Sequence, residues 1–284
     1  IMKLNNITTV GITLFPALVS IPIFVNLALD VHPDGINTLL NFFLASIRPS
    51  LNPIVLESAW DGLKITIATS LISWFFSILI GSILGILSSS IFWKILGKKD
   101  TLGILIKRSL IIPRSIHEIV WGLLLLQIFS LNPFIAIIAI VIPYSSITAR
   151  VIANQLDTFD YKYIILLNQT GSSFLSNFST NLIRPVLSIL RTYGIYRLEC
   201  TFRASILAGM FGLGGIGTEL QLTTQSLRFE ELWTSLWILG LLIFLLERIS
   251  NLIGSKSRFI SFNPNNKLFI NTLIILLLIS ISIL

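Results

Sequence analysis

The stretch RLECTFRASILAGMFGLGGIG, residues 197–217, decides how this chain is read. Three charges, Arg197, Glu199 and Arg203, and then five glycines, Gly209, Gly212, Gly214, Gly215 and Gly217, stand inside an otherwise apolar run. Residues 186–209 supply the length of about 20 residues that a helix needs to cross the hydrocarbon core, so the charges fall where lipid tails would surround them. Each Arg or Glu at mid-span costs about 2.5–3.5 kcal/mol on insertion scales, against about 0.5 returned by a leucine. Such charges are retained for a reason. Glu199 precedes Arg203 by four residues, the favourable order for a helical ion pair, which leaves Arg197 as the charge without a partner at that spacing. Two readings follow. Arg197, Glu199 and Arg203 form ion pairs that fix helices or hold a dimer, or an arginine faces a water-filled path and lowers the barrier for an oxyanion, which a guanidinium fits with two parallel hydrogen bonds. The glycines end the span and allow backbone conformations and close helix approach that side chains would block, which suits a gate or a contact surface at the outer face.

Composition agrees with a membrane setting. Of 284 residues, 54% are hydrophobic and 12% charged, and the mean hydropathy is +0.88, values outside the range of soluble domains. The expected fold class is all-α, a polytopic helical bundle. Cys200 is the sole cysteine and His32 and His117 lie far apart, so neither a disulfide within the chain nor a metal site is expected. The net charge of +7 comes from short basic segments between apolar runs, a pattern of membrane orientation and not of nucleic-acid binding.

Spans are expected at 7–29, 65–87, 113–131, 134–149, 186–209 and 232–246, with 268–284 as a seventh candidate. The first is read as a retained span, because it carries Pro16 and Pro22 and no small-x-small cleavage site. Pro113 suits a helix start, with Arg114, His117 and Glu118 in the first turns of the third span, and Asn132-Pro133 suits a tight turn into the fourth. Lys94, Lys98, Lys99, Lys107, Arg108 and Arg114 place the segment before the third span in the cytoplasm. By alternation the N-terminus and residues 150–184 are cytoplasmic, and a polar loop at 219–231 is external. The expected organisation is an N-terminal span and external segment (1–63), a core transmembrane domain (64–250) and a cytoplasmic linker with an additional apolar helix (251–284). Tyr144, Ser145 and Ser146 are candidates to line a path, Cys200 reads as packed, and His117 with Glu118 reads as an interfacial helix start.

The long cytoplasmic segment, residues 156–184, reads as helix, glycine, helix. Asp157 or Asp160 can cap a short helix through Leu167, Gly171 can end it, and Ser173 can cap a second whose Phe174, Phe178 and Leu182 form one apolar stripe. Such an element docks in a groove of a soluble protein or lies at the interface alone.

This segment resembles the coupling motif of ABC importer permeases, Glu-Ala-Ala, three residues, Gly, nine residues, Ile-x-Leu-Pro. Gly171 takes the place of the glycine and Ile183 that of the leucine. Ile165, Leu166 and Leu167 replace Glu-Ala-Ala, Asn181 replaces the isoleucine, and Pro185 comes one place late. The flanking stretches RSIHEIVWGLLLLQIFSLNPFIAIIAI from Arg114, LDTFDYKYI from Leu156 and YGIYRLECTFRASILAGMFGLGGIG from Tyr193 resemble the permeases of phosphonate and phosphite importers in order and spacing, over roughly residues 57–248. His117 stands where that branch commonly has proline. The resemblance implies a type I ABC importer permease fold of six to seven transmembrane helices. It implies a homodimer in a bacterial inner membrane, joined to two copies of an ATPase subunit and fed by a periplasmic substrate-binding protein, with no cofactor. Asp160, Ile165, Leu166, Leu167, Gly171, Ser172, Phe174, Ile183 and Pro185 would then contact the ATPase.

The sequence carries no G-x-x-x-x-G-K-[ST] phosphate loop, so a partner would supply the energy. GLGGIG follows a span and not a strand, which removes a dinucleotide reading. The rivals are an ABC permease for another small solute such as phosphate or methionine, and a proton-coupled secondary transporter using Glu118 and Glu199. No nucleophile, base and orienting group assemble into an enzyme site.

Overall fold

A computed structural model describes residues 34–129, 132–158, 171 and 183–257, with parts of 15–26 and 277–283. Among the described residues there is no strand. The chain divides into two compact units, Ile1–Pro49 and Ser50–Leu284. The first contains α1, Gly35–Ala45, whose Ile36, Leu39, Leu40, Phe43 and Leu44 are exposed.

The second unit begins with α2, Pro53–Ser88, of 36 residues. The Asn52 side chain accepts the Ile54 N–H at 3.1 Å and Pro53 occupies the first turn, so the helix starts well before the expected span at residue 65. At 1.5 Å per residue it is longer than the roughly 30 Å hydrocarbon core, which lets Glu57 and the Asp61–Lys64 pair, 2.8 Å apart, lie outside it. The expected domain boundary at 63/64 falls inside this helix. One face of α2 is buried and small: Thr66, Ser70, Ser73, Ser77, Gly81 and Gly85. That face receives α7, Pro133–Leu156, so closely that a Cβ on Gly81 would stand 2.7 Å from the Thr148 Cβ.

Between them lie α3 (Ser90–Ile95), α4 (Thr101–Ser109), α5 (Ile111–Ser115) and α6 (Glu118–Ile128). The third span was expected at about 113–131, with Pro113 at its helix start. Instead Pro113 lies in α5, and the backbone is extended at Ile116 and His117, so that 101–115 and 118–128 form a pair bent by 82°. Two side chains hold the break. The His117 Nδ1 accepts the Ile119 N–H at 3.4 Å, and the Trp121 indole N–H donates to the Pro113 carbonyl at 3.2 Å. The Asn132 turn is as expected, with its Oδ1 accepting the Phe134 N–H at 3.0 Å.

Helix α8, Arg184–Ala208, passes through a kinked turn, Gly209–Leu213, whose backbone is non-helical at Phe211 and Gly212, into α9, Ile216–Gln225. Residues 193–213 and 216–225 are bent by 55°. The external loop expected at 219–231 is thus largely helix. Ile216, Leu220 and Thr223 give α9 a buried face, and the hydroxyls of Thr223 and Thr224 bond back to the carbonyls of Glu219 and Leu220, which conceals helical periodicity behind a polar composition. The last long helix, α10, is Phe229–Ser257. The Thr234 hydroxyl donates to the Ser50 carbonyl at 2.7 Å and the Ser50 N–H donates to the Glu230 carbonyl at 3.1 Å, which ties the start of the unit to α10.

Among the described residues three helices are each long and apolar enough to cross a membrane: α2, α7 and Phe229–Arg248 of α10. The two bent pairs raise the number to five. The expected first and seventh spans fall largely outside the described residues.

Candidate functional site

Arg197, Glu199 and Arg203 of α8 divide between two faces. Arg203 pairs with Glu199 one turn earlier, and this pair is open, with side chains 62% and 28% exposed. Tyr196 and Leu207 are exposed along the same helix, and Met210 in the turn after it. An exposed ion pair within a spanning helix does not suit lipid tails, which solvate neither charge.

Arg197 is only 6% exposed. Its Cζ lies over the ring of Tyr144 in α7, 3.6 Å from the centroid. The Tyr144 hydroxyl stands 3.3 Å from Glu118 Oε1 and 3.4 Å from the Cys200 carbonyl, and the His117 Nδ1 is 3.5 Å from Glu118 Oε2. Among the described residues the Arg197 Nε and Nη2 have no hydrogen-bond partner. Here Arg197 packs inside the chain and Arg203 is the arginine that faces outward. Of the path-lining candidates, Ser145 and Ser146 bond back to the Ile142 carbonyl at 3.0 and 3.1 Å. Cys200 packs beside Ile140, Tyr144 and Ala204. The Tyr144–Arg197 stack joins residues far apart in sequence, and no local spacing signals it.

The glycine stretch is a packed turn. Gly212, Gly214 and Gly215 have φ of 85°, 92° and 89°. A Cβ on Gly215 would stand 2.5 Å from Thr66 Oγ1. That hydroxyl donates to the Gly62 carbonyl at 3.0 Å and accepts the Ile216 N–H at 2.9 Å, so it fastens the start of α9 to α2. Gly209 and Gly217 serve close approach: a Cβ on Gly209 would lie 2.6 Å from the Gly214 carbonyl oxygen.

Of the residues assigned to the coupling segment, Asp160, Ile165, Leu166, Leu167, Ser172 and Phe174 lie outside the described residues. Gly171 has φ of +77° with open space where a Cβ would stand. Ile183 is the residue before α8, and Pro185 is in its first turn. Asp157 or Asp160 was read as a cap for a following helix, and Asp160 lies outside the described residues. The Asp157 carboxylate reaches across the fold, where Oδ1 accepts the Ser89 hydroxyl at 2.8 Å and the Ser90 N–H at 2.9 Å. Oδ2 pairs with Lys107 Nζ at 3.0 Å. Lys107 had been read only as part of the basic segment.

Among the described residues no group of three His, Cys, Asp or Glu is placed to hold a metal ion.

This arrangement of long, bent and glycine-broken apolar helices is that of a multi-pass membrane protein, and its fold is similar to that of an ABC transporter chain. A chain of the methionine ABC transporter MetNI, solved in inward-facing conformations, matches with a TM-score of 0.59 at 20% identity, over 73% of this chain and 99% of that one. The putative phosphite transport system permease protein HtxC of Stutzerimonas stutzeri is 26% identical over 49% of each chain. The phosphite transport system permease protein PtxC of the same organism is 21% identical over 49% of this chain and 51% of its own length. The putative cryptic phosphonate transport system permease protein PhnE2 of Escherichia coli K12 is 21% identical over 40% of this chain and 93% of its own. The chain spans about half the length of the two phosphite permeases it matches. No protein-family model matches it.

Proposed function

We propose that this chain is the transmembrane subunit of an ATP-driven importer that carries a small phosphorus oxyanion, phosphonate or phosphite, across a bacterial inner membrane. It works as a homodimer with two ATPase subunits and a periplasmic binding protein, its N-terminus in the cytoplasm. The observation that carries this reading is the exposed Glu199–Arg203 pair on α8. In a bilayer that face requires water or protein against it, and a second copy with an aqueous path between the two α8 helices supplies both. Arg203 then offers a passing contact to an oxyanion, which a transporter must also release. The names of the similar permeases favour a phosphorus oxyanion as cargo. A phosphate-import permease, PhnE of Mycolicibacterium smegmatis, at 18% identity over 52% of this chain, makes phosphate the second cargo to test.

In this reading the segment around Gly171 docks on the ATPase, with Ile183 and Pro185 at its membrane-proximal end. Closure of the ATPase dimer on ATP moves it, and the α8 helices part toward the outside. The turn at Gly209–Gly217 forms the outer gate. Uptake of labelled phosphite, methylphosphonate and phosphate by cells expressing the chain with its ATPase and binding protein tests the proposal. ATP-dependent uptake of the first two supports it; uptake of none of the three, or uptake that collapses with an uncoupler and ignores loss of the ATPase, opposes it.

A further inference from the structure

Asp157 is the residue after α7, at the negative end of that helix dipole, where a carboxylate is locally unfavourable. Its partners are all elsewhere. Ser89 is the extended joint between α2 and α3, with ψ of 132°. The Ser90 N–H belongs to the first turn of α3, where an amide has no intrahelical acceptor, and Lys107 lies in the last turn of α4. One carboxylate therefore fastens α7 to the α2–α3 joint and to α4 through three hydrogen bonds of 2.8–3.0 Å. The Asp157 and Lys107 side chains are 24% and 26% exposed, which limits screening of the pair.

Beneath this clasp, Ile91 and Ile95 of α3 pack with Ile152 and Leu156 of α7 and with Val186 of α8. Leu156 and Val186 flank the segment proposed to meet the ATPase, so both of its ends rest on the same six-residue helix. Helix α3 is itself held to its neighbours. The Trp93 indole N–H donates to the Leu87 carbonyl at 2.8 Å, and a Cβ on Gly103 of α4 would stand 2.8 Å from the Trp93 ring. Apolar contacts alone are non-directional and permit sliding. The carboxylate, with fixed donors on two other elements, sets the register.

Resting on the importer reading above, we propose that Asp157 is a positioning residue for coupling. It carries displacement of the ATPase-facing segment into the C-terminal end of α2 and into α4, with Lys107 as its ionic anchor.

The test uses the full chain with its ATPase and binding protein in proteoliposomes, and measures ATP hydrolysis and phosphite or methylphosphonate uptake separately. Asp157→Ala removes the whole clasp. Lys107→Gln removes only the ionic anchor, leaves the Ser90 cap, and remains informative if Asp157→Ala fails to assemble. The expected result for both is normal ATPase association and hydrolysis with uptake per ATP lowered, about tenfold for Asp157→Ala, a size within the usual range of coupling between sites. Asp157→Glu should recover part of the loss. Unchanged uptake per ATP in both variants, or hydrolysis and uptake falling in proportion, overturns the proposal, because a merely structural contact would give that. If the wild-type complex itself shows no ATP-driven uptake, the importer reading fails and the clasp's role fails with it.

Discussion

The Arg197 guanidinium lies over the Tyr144 ring, 3.6 Å from its centroid, and so joins α8 to α7 inside the membrane region. The ring faces a cation whose Nε and Nη2 lack hydrogen-bond partners among the described residues. Removing the ring alone strands the charge, whereas removing both leaves an apolar contact. Tyr144→Leu should therefore destabilise the protein by about 1–2 kcal/mol, and Tyr144→Leu/Arg197→Met should recover most of that loss. Thermal unfolding in detergent measures the cycle, and a double variant less stable than Tyr144→Leu would contradict it.

The outward pair makes a different prediction. Arg203→Gln leaves Glu199 as an unpaired carboxylate in a spanning helix, so the single variant should accumulate less well than Glu199→Gln/Arg203→Gln. Both should lose uptake while still binding the ATPase if, as proposed, the face they occupy lines the path and not the cytoplasmic contact. Full uptake by the double variant would remove this pair from the path.

At the glycine turn, Gly215 has φ of 89° and ψ of −171°, a region open essentially to glycine alone. Gly215→Ala should cost about 1–3 kcal/mol in backbone strain, with a clash against Thr66 in addition. Thr66→Val leaves the buried Ile216 N–H without its acceptor, at about 1–3 kcal/mol. Both should lower the midpoint of unfolding in detergent, whereas Gly97→Ala, with its open surroundings, should lower it less.

In the segment proposed to dock on the ATPase, Gly171→Arg introduces a bulky cation where the backbone has φ of +77°. Association with the ATPase in a pull-down should be lost while the chain remains in the membrane. Undiminished association would show that the segment around Gly171 is not the docking element.

The spanning character of α2, α7 and α10 was legible as apolar runs, and the Asn132-Pro133 turn as a local cap, because both are set by residues adjacent in sequence. Helix ends were less legible: α2 and α7 extend beyond their apolar runs, since polar residues such as Asp61 and Gln155 continue a helix into water. The bend before α6 depends on Trp121 reaching back to Pro113, and the helix at 216–225 was hidden by threonines that bond to their own backbone. The site divides similarly. The four-residue spacing of Glu199 and Arg203 foretold a pair that the structure forms. The stack of Arg197 on Tyr144 and the reach of Asp157 to Ser90 and Lys107 bring together residues many positions apart, and only the packed bundle defines them.

The most direct measurement of the whole account is oxyanion flux through the purified chain in liposomes, with and without its ATPase and ATP. Phosphite or methylphosphonate accumulating only when the ATPase, ATP and binding protein are all present is the predicted result. Full-rate movement through the chain alone would contradict it.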